Sequence, residues 1–541
     1  MASTVILRVL RGKPTPPSPS VQQRTQPWWE WRGTFVALIL ISGLPLLWPD
    51  IPPLTDVPGH MGRYRIELDL AHSQYLQRFY EFHWSVIGYL GVDLLVIPLS
   101  RLLGLELAVK LVMIAIPLMT VAGFLFVARE VHGRILPTTI FALPFAYNYP
   151  FLLGFANFSL SMALVFLALG LWLRLARLGH LRLRAVLFVP ISLTIWITHA
   201  FGWGALGVLV FSVEFIRQMD RNHRRFIPAA VAAGVHCLPL ALPMLLMVLG
   251  RTEGGASAET GDWFNFGAKI GSLAMALRDR WIVPDIAALT IVFILLFEGA
   301  RHPKFEYARN LATAGVILAL VFLLLPRIIS GGAYADMRLA PYLLAVGVLA
   351  IGFRGEPEPA TARALAWGGL AFLLARTAAV ALSFYLYDAS YDRHLKALDH
   401  VPRGARLVSF VGASCEQSWF SGRLEHLAGL AIVRREAFSN DQWEMPGGQL
   451  FAVHYPAGAG FIMDPSQIVS SVQCDRAPWR TLDEALTEVP RDAFDYIWLI
   501  DPPAFRPELA QGLVPVWRDG TSVLYSIKRV IPARRLDQIH G

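Results

Sequence analysis

The sequence predicts a membrane fold: a polytopic bundle of about eleven transmembrane helices, with juxtamembrane helices in the outer leaflet, followed by a C-terminal extracytoplasmic α/β domain. Three observations lead there. Hydrophobic residues make up 55% of the 541 and charged residues only 16%, with a mean hydropathy of +0.47, whereas soluble domains carry about a quarter charged residues. Apolar runs close to the length that crosses a bilayer recur from residue 34 to residue 385. Beyond residue 386 the character changes to dispersed charge, many Pro and Gly, and short β-type runs.

The expected spans are residues 34–48, 107–128, 136–153, 158–175, 185–198, 201–215, 227–249, 282–297, 312–325, 340–353 and 364–385. The first follows a Pro-rich tail, residues 1–33, that carries Arg8, Arg11, Lys13, Arg24 and Arg32 and is expected to be disordered. No small-residue cleavage site follows that run, so it reads as a signal anchor with a cytoplasmic N-terminus. The run 84–103 is interrupted by Asp93, Pro98 and Arg101. If it crossed, Arg174, Arg177, Arg182 and Arg184 would face outward, as would Arg217, Arg221, Arg224 and Arg225. If it lies in the outer leaflet, both clusters join Arg129 and Arg134 inside, as the excess of Lys and Arg in cytoplasmic loops requires.

On that topology residues 34–386 form the helical domain, with outer loops at 49–106, 250–281 and 326–339. Residues 387–541 form a periplasmic domain of an inner-membrane protein. Its strand signals lie at 406–411, 496–500 and 522–527, with a helical stretch at 482–488. The net charge of +8 does not indicate nucleic acid, because the cations sit in short clusters between apolar runs. Cys415 and Cys474 fall on the oxidising side and are either paired or two buried thiols.

Polar chemistry gathers at the outer ends of the spans. Asp56, His60 and Arg63 follow the first span, and Pro58 starts a helix that puts His60 and Arg63 on one face. Asp56 is then either a plain helix cap or a functional carboxylate at the positive end of a helix dipole. Tyr147 and Asn148, with Asn157 further on, line the next outer turn. An aromatic belt accounts for the tyrosine, while a buried amide serves packing or a substrate hydroxyl. His199 sits at a tip between two spans, as a helix-end residue, a pH switch or a phosphate contact. Arg338 stands where a span begins, and its guanidinium must pair with Asp336, snorkel, or meet an anion such as phosphate.

Several chemistries lack their signatures. There is no phosphate loop, no Gly-x-Ser-x-Gly elbow and no His-Glu-x-x-His zinc helix. No cofactor is expected, and no clear ligand set marks a metal such as a divalent cation. Any energy must come from an activated substrate or an ion gradient, or none is needed.

The arrangement resembles the GT-C superfamily of membrane glycosyltransferases, among them protein O-mannosyltransferases, lipid A aminoarabinose transferases and the catalytic subunit of oligosaccharyltransferase. The likeness rests on Asp56-Val57-Pro58-Gly59-His60 after the first span. It also rests on the amphipathic run 84–103 leading to a span closed by Arg129-Glu130-Val131-His132-Gly133-Arg134, and on the C-terminal α/β domain. It implies a polyprenyl-phosphate sugar as donor, an acceptor that is a lipid, glycan or protein, and Asp56 as general base. Many members carry paired acids in this loop; here Glu67, Asp69 and Glu81 accompany Asp56 as uncertain seconds. The rival readings are a transporter and a non-catalytic component of a polysaccharide or lipid export pathway. A transporter would place ionisable residues near mid-membrane, whereas here they gather at helix ends.

Overall fold

A computed structural model describes residues 26–249, 260–329, 332–416, 418–444, 450–475 and 477–528. Most of the expected tail, and part of the expected loop 250–281, lie outside these residues. Among the described residues six helices are long and apolar enough to cross a membrane: Leu105–His132, Ala156–Arg177, Leu181–Thr198, Ala200–Arg221, Ile282–Arg301 and Pro359–His400. The pair Phe226–Leu240 and Leu242–Val248 forms a seventh, bent by 67°. Their outer surfaces stay apolar. Val283, Phe293, Ile294 and Phe297 of Ile282–Arg301 are all exposed, as lipid contact demands and water would not permit. The chain is a multi-pass membrane protein.

The other four expected spans are built from shorter pieces, each for a local reason. Residues 136–153 carry Pro137, Pro144 and Pro150, which remove helical donors, and they form the 3₁₀ segment Pro137–Tyr147 followed by Tyr149–Leu152. Residues 340–353 stop as a helix at Leu349, because Ile351–Phe353 turns to pair antiparallel with Phe305–Tyr307. The first run breaks at Gly43-Leu44-Pro45, and Arg309–Leu324 has only 16 residues. The run 84–103 yields the helix Gly91–Leu103. At 1.5 Å per residue it reaches about 20 Å, short of the roughly 30 Å hydrocarbon core.

The C-terminal region holds a six-stranded mixed sheet. Its order is Arg480–Thr481, Ile468–Ser470, Leu407–Gly412, Tyr496–Ile500, Ser522–Ile527, Leu513–Asp519; the first four strands run parallel and the last two join antiparallel. The helix Leu482–Glu488 opens on a capping box between Thr481 and Glu484. A disulfide joins Cys415 to Cys474, so the pairing alternative holds.

This region is interlocked with the helical one. Tyr80–Phe82, in the segment that follows the first apolar run, pairs antiparallel with Phe451–Val453. Ile66, Leu76, Phe79 and Tyr80 share one hydrophobic cluster with Val408, Phe410, Phe438 and Phe494. The last long helix, Pro359–Leu395, runs past the expected boundary at 386 and carries Tyr387 and Tyr391 into the contact. Their hydroxyls donate to the Ser421 and Arg423 carbonyls, each at 2.7 Å. Arg423 itself is buried; it donates to the Pro53 carbonyl at 2.7 Å, pairs with Asp279 and lies over the Tyr387 ring at 4.3 Å.

Two outcomes are expected. Arg423→Ala leaves Asp279 buried without its cation and should destabilise the protein by about 3–5 kcal/mol, read as a lower melting temperature in detergent. For the orientation expected from the basic clusters, single cysteines are placed at the exposed positions Ala504 and Arg182, in a Cys237→Ser background with the disulfide intact. A membrane-impermeant thiol reagent added outside should modify the first and spare the second.

Candidate functional site

The site is built on the helix Val57–Asp69, which begins just after Asp56. Its first turn is pinned from two sides. The Asp56 amide donates to the Leu153 carbonyl at 2.9 Å, and Gly154 fits there because its φ is +92° and an added Cβ would lie 2.7 Å from the Asp56 nitrogen. Although Asp56 stands at the N-cap position, its side chain makes no capping hydrogen bond. The carboxylate is half-buried and uncommitted to the helix.

The C-terminal region closes over it. An added Cβ on Gly59 would lie 2.8 Å from the Trp443 ring and 3.2 Å from His426 Cβ, and one on Gly62 would lie 2.8 Å from Gln442 Nε2. Gln442 donates to the Gly59 carbonyl at 3.1 Å. The Trp443 ring contacts both His60, at 5.1 Å, and His426, at 4.7 Å. His426 Nδ1 lies 2.9 Å from the Asp441 carbonyl and donates to it. Asp56 thus shares its surroundings with His426, Glu425, Asp441 and Asp464, none of them near it in sequence.

The electrostatics follow. Burial pushes the Asp56 carboxyl up to about 7; Glu425 and Asp464 push the same way, against His426 and Arg338. Burial also raises Asp441 to about 6, and it raises Glu425. Burial would lower His426, yet Asp464, Asp56, Asp441 and Glu425 outweigh it and hold the imidazole above its ordinary value. His60 is driven well below by burial, with Arg63 and His426 adding to the effect.

Arg338 faces Asp56 from the opposite loop. Asp336 does not pair with it, because Asp336 is held by Lys269 at 3.3 Å and by its own neighbour's amide. Among the described residues Arg338 contacts no carboxylate; it lies over the Phe155 ring at 4.6 Å, and its Nε is buried without a partner. One terminal nitrogen meets His199 Nε2 at 3.3 Å. His199 caps the helix Ala200–Arg221 by accepting the Phe201 amide on Nδ1 at 3.1 Å. Burial and Arg338 hold its pKa far down, so its single proton is on Nε2. Two N–H donors therefore face each other with nothing to accept. An anionic oxygen between them would satisfy both.

The remaining expected residues sit apart from this centre. Arg63 is paired with Asp93 at 2.7 Å and Glu67 at 3.5 Å. Asn157 braces that cluster, accepting the Val92 amide at 2.6 Å and donating to Asp93 at 3.1 Å. Asn148 caps Tyr149–Leu152 and touches the Tyr342 hydroxyl, and the Tyr147 hydroxyl donates to the Ser42 carbonyl. Among the described residues no three His, Cys, Asp or Glu side chains have the geometry to hold a metal ion.

No family model matches the sequence, and no curated protein matches it significantly. Among solved structures it is similar to the crystal structure of ArnT from Cupriavidus metallidurans bound to undecaprenyl phosphate. The identity is 13% and the TM-score 0.43, over 92% of this chain and 98% of that one. The likeness is distant but spans nearly the whole of both.

A carboxyl whose folded pKa lies above its unfolded value stabilises the fold below the unfolded pKa, near 4, and loses that contribution as pH rises through the folded value. Asp56 has a folded value of about 7. Asp56→Asn, uncharged throughout, should therefore gain melting temperature relative to the parent as pH goes from 5 to 8. A helix cap would give the opposite, a loss at every pH.

Proposed function

We propose that the protein is a membrane glycosyltransferase that moves a sugar from a polyprenyl-phosphate carrier to an acceptor hydroxyl on the outer face of the inner membrane. The supporting observation is that Asp56, whose carboxylate does not cap its helix, and Arg338, whose guanidinium meets no carboxylate among the described residues, influence each other at one rim of an apolar bundle. Such charges are costly to keep there unless they serve a reaction. The sequence resemblance to the GT-C superfamily points the same way.

The chemistry divides between the two groups. The acceptor oxygen attacks the anomeric carbon and forms the new glycosidic bond, while its proton passes to Asp56. The bond from the anomeric carbon to phosphate oxygen breaks, and its electron pair leaves with the polyprenyl phosphate. Arg338 and His199 Nε2–H stabilise the departing oxygen. A base with a pKa near 7 is matched to neutral pH, since it is both ionised and able to hold the proton. The lipid tail would lie among the exposed apolar helix faces, so no soluble nucleotide site is required.

Purified protein and a panel of polyprenyl-phosphate sugars test this. Asp56→Asn should lower turnover by about 10²–10⁴-fold with donor binding retained. Arg338→Ala should weaken donor binding and turnover together, and Arg338→Lys should restore only part, because the guanidinium fork is lost. A well-folded Asp56→Asn protein with parental transfer rates would end the reading.

A further inference from the structure

We propose that His426, carried by the C-terminal region, is a positioning residue for Asp56: its imidazolium holds the Asp56 carboxyl in the ionised form that a base needs. The inference rests on the reading of Asp56 as that base, but it concerns a different residue and a different measurement.

The geometry supports it in three ways. Asp56 and Gly59 are one helical turn apart and so lie on the same face of the helix, and a Cβ added at Gly59 would lie 3.2 Å from His426 Cβ and 2.8 Å from the Trp443 ring. The missing side chain at 59 lets both residues pack close to the helix. The ring is then held twice: Nδ1–H is committed to the Asp441 carbonyl, and the Trp443 ring lies tilted against it with centroids 4.7 Å apart. Held this way, His426 cannot swing to another partner, and its remaining nitrogen is free to carry charge. Third, the groups around the cation are carboxylates and one imidazole. From the helix Val57–Asp69 the groups near it are Asp56 and His60; from the C-terminal region they are Glu425, Asp441 and Asp464. Arg338 reaches Asp56 from the opposite loop but is the weaker of the two cationic influences on it. Without His426, a half-buried carboxyl beside Glu425 and Asp464 would keep its proton at neutral pH and could not accept another.

The consequence is structural as well as chemical. The base lies on the helical domain and the group that ionises it on the other, so a competent site exists only while the two are docked. The contact through Gly59, Gly62 and Gly429, whose added Cβ would meet the Pro58 carbonyl at 2.6 Å, sets that docking.

Dicyclohexylcarbodiimide modifies protonated carboxyls in apolar surroundings and needs no sugar substrate. Full-length protein in detergent is treated across pH 5–9, and modification of Asp56 is followed by peptide mass spectrometry. In the parent the modification should fall away with a midpoint near pH 7. His426→Gln should move that midpoint up by about 1–3 units, and Glu425→Gln, which removes a like charge, should move it down. A purely structural role would move both variants alike or neither. An unmoved midpoint in a folded His426→Gln protein overturns the proposal, as does an upward shift in Glu425→Gln. Neither result bears on sugar transfer, which stands or falls on Asp56→Asn.

Discussion

The Arg423 guanidinium is the tie on which the joint between the helical and C-terminal regions depends. It reaches from the C-terminal region into the helical one, pairing with Asp279 and bonding the Pro53 carbonyl three residues before Asp56. Asp279 is bonded in turn by Ser383 on the last long helix, and the neighbouring Asp285 holds Arg376 of the same helix at 2.6 Å and the Trp419 indole at 2.8 Å. Buried ion pairs of this kind add little net stability, because desolvation consumes most of the attraction. What they do enforce is register. An arginine in that pocket has one set of partners, and any other docking would strand a charge out of water.

That register is what makes the carboxylate cluster tolerable. Asp56, Glu425, Asp441 and Asp464 repel one another, and burial raises the first three above their ordinary range. A surface selected only for stability would not gather them. They persist because the surrounding contacts, including the strand pair of Tyr80–Phe82 with Phe451–Val453 and the shared core of Phe79, Tyr80, Phe438 and Phe494, hold the segments whatever the local electrostatics prefer. The domain beyond residue 386 therefore does not close its core alone; Ile66 and Leu76 complete it from the first loop.

The bundle and the α/β sheet were legible in the sequence because both rest on periodic or continuous patterns. Seven of the eleven apolar runs became helices long enough to cross, counting the bent pair. Of the others, Arg309–Leu324 is a single apolar helix of 16 residues, and the remaining three are shortened by proline, glycine or a strand pairing, which hydropathy alone does not register. Asp56 and Arg338 were legible for a different reason: a charge at the edge of an apolar run stands out. Their partners did not. Arg63 resembles a site residue in one dimension, but Asp93, 30 residues on, takes its charge, and Lys269 takes Asp336 in the same way. His426, Glu425 and Asp464 carry no local signal at all, since they lie in ordinary polar stretches about 370 to 410 residues from Asp56. Only the docking brings them in.

One feature of the pairing pattern separates structural charge from chemical charge in this molecule. Arg63, Lys269, Arg376 and Arg423 are each matched to a carboxylate within ion-pair distance. Among the described residues Arg338 meets aromatic faces, a carbonyl and another donor, and no carboxylate. Beside four buried cations that are matched, a guanidinium opposed to an N–H is where the proposed function puts the acceptor on the ligand and not on the protein. The same logic applies to Asp56, which forgoes the cap it is positioned to make. The two unmatched groups carry opposite charge and lie within each other's field, yet they do not combine. On the proposed function, a base facing an anion anchor is the arrangement that a substitution at carbon needs, with the nucleophile activated on one side and the leaving group received on the other.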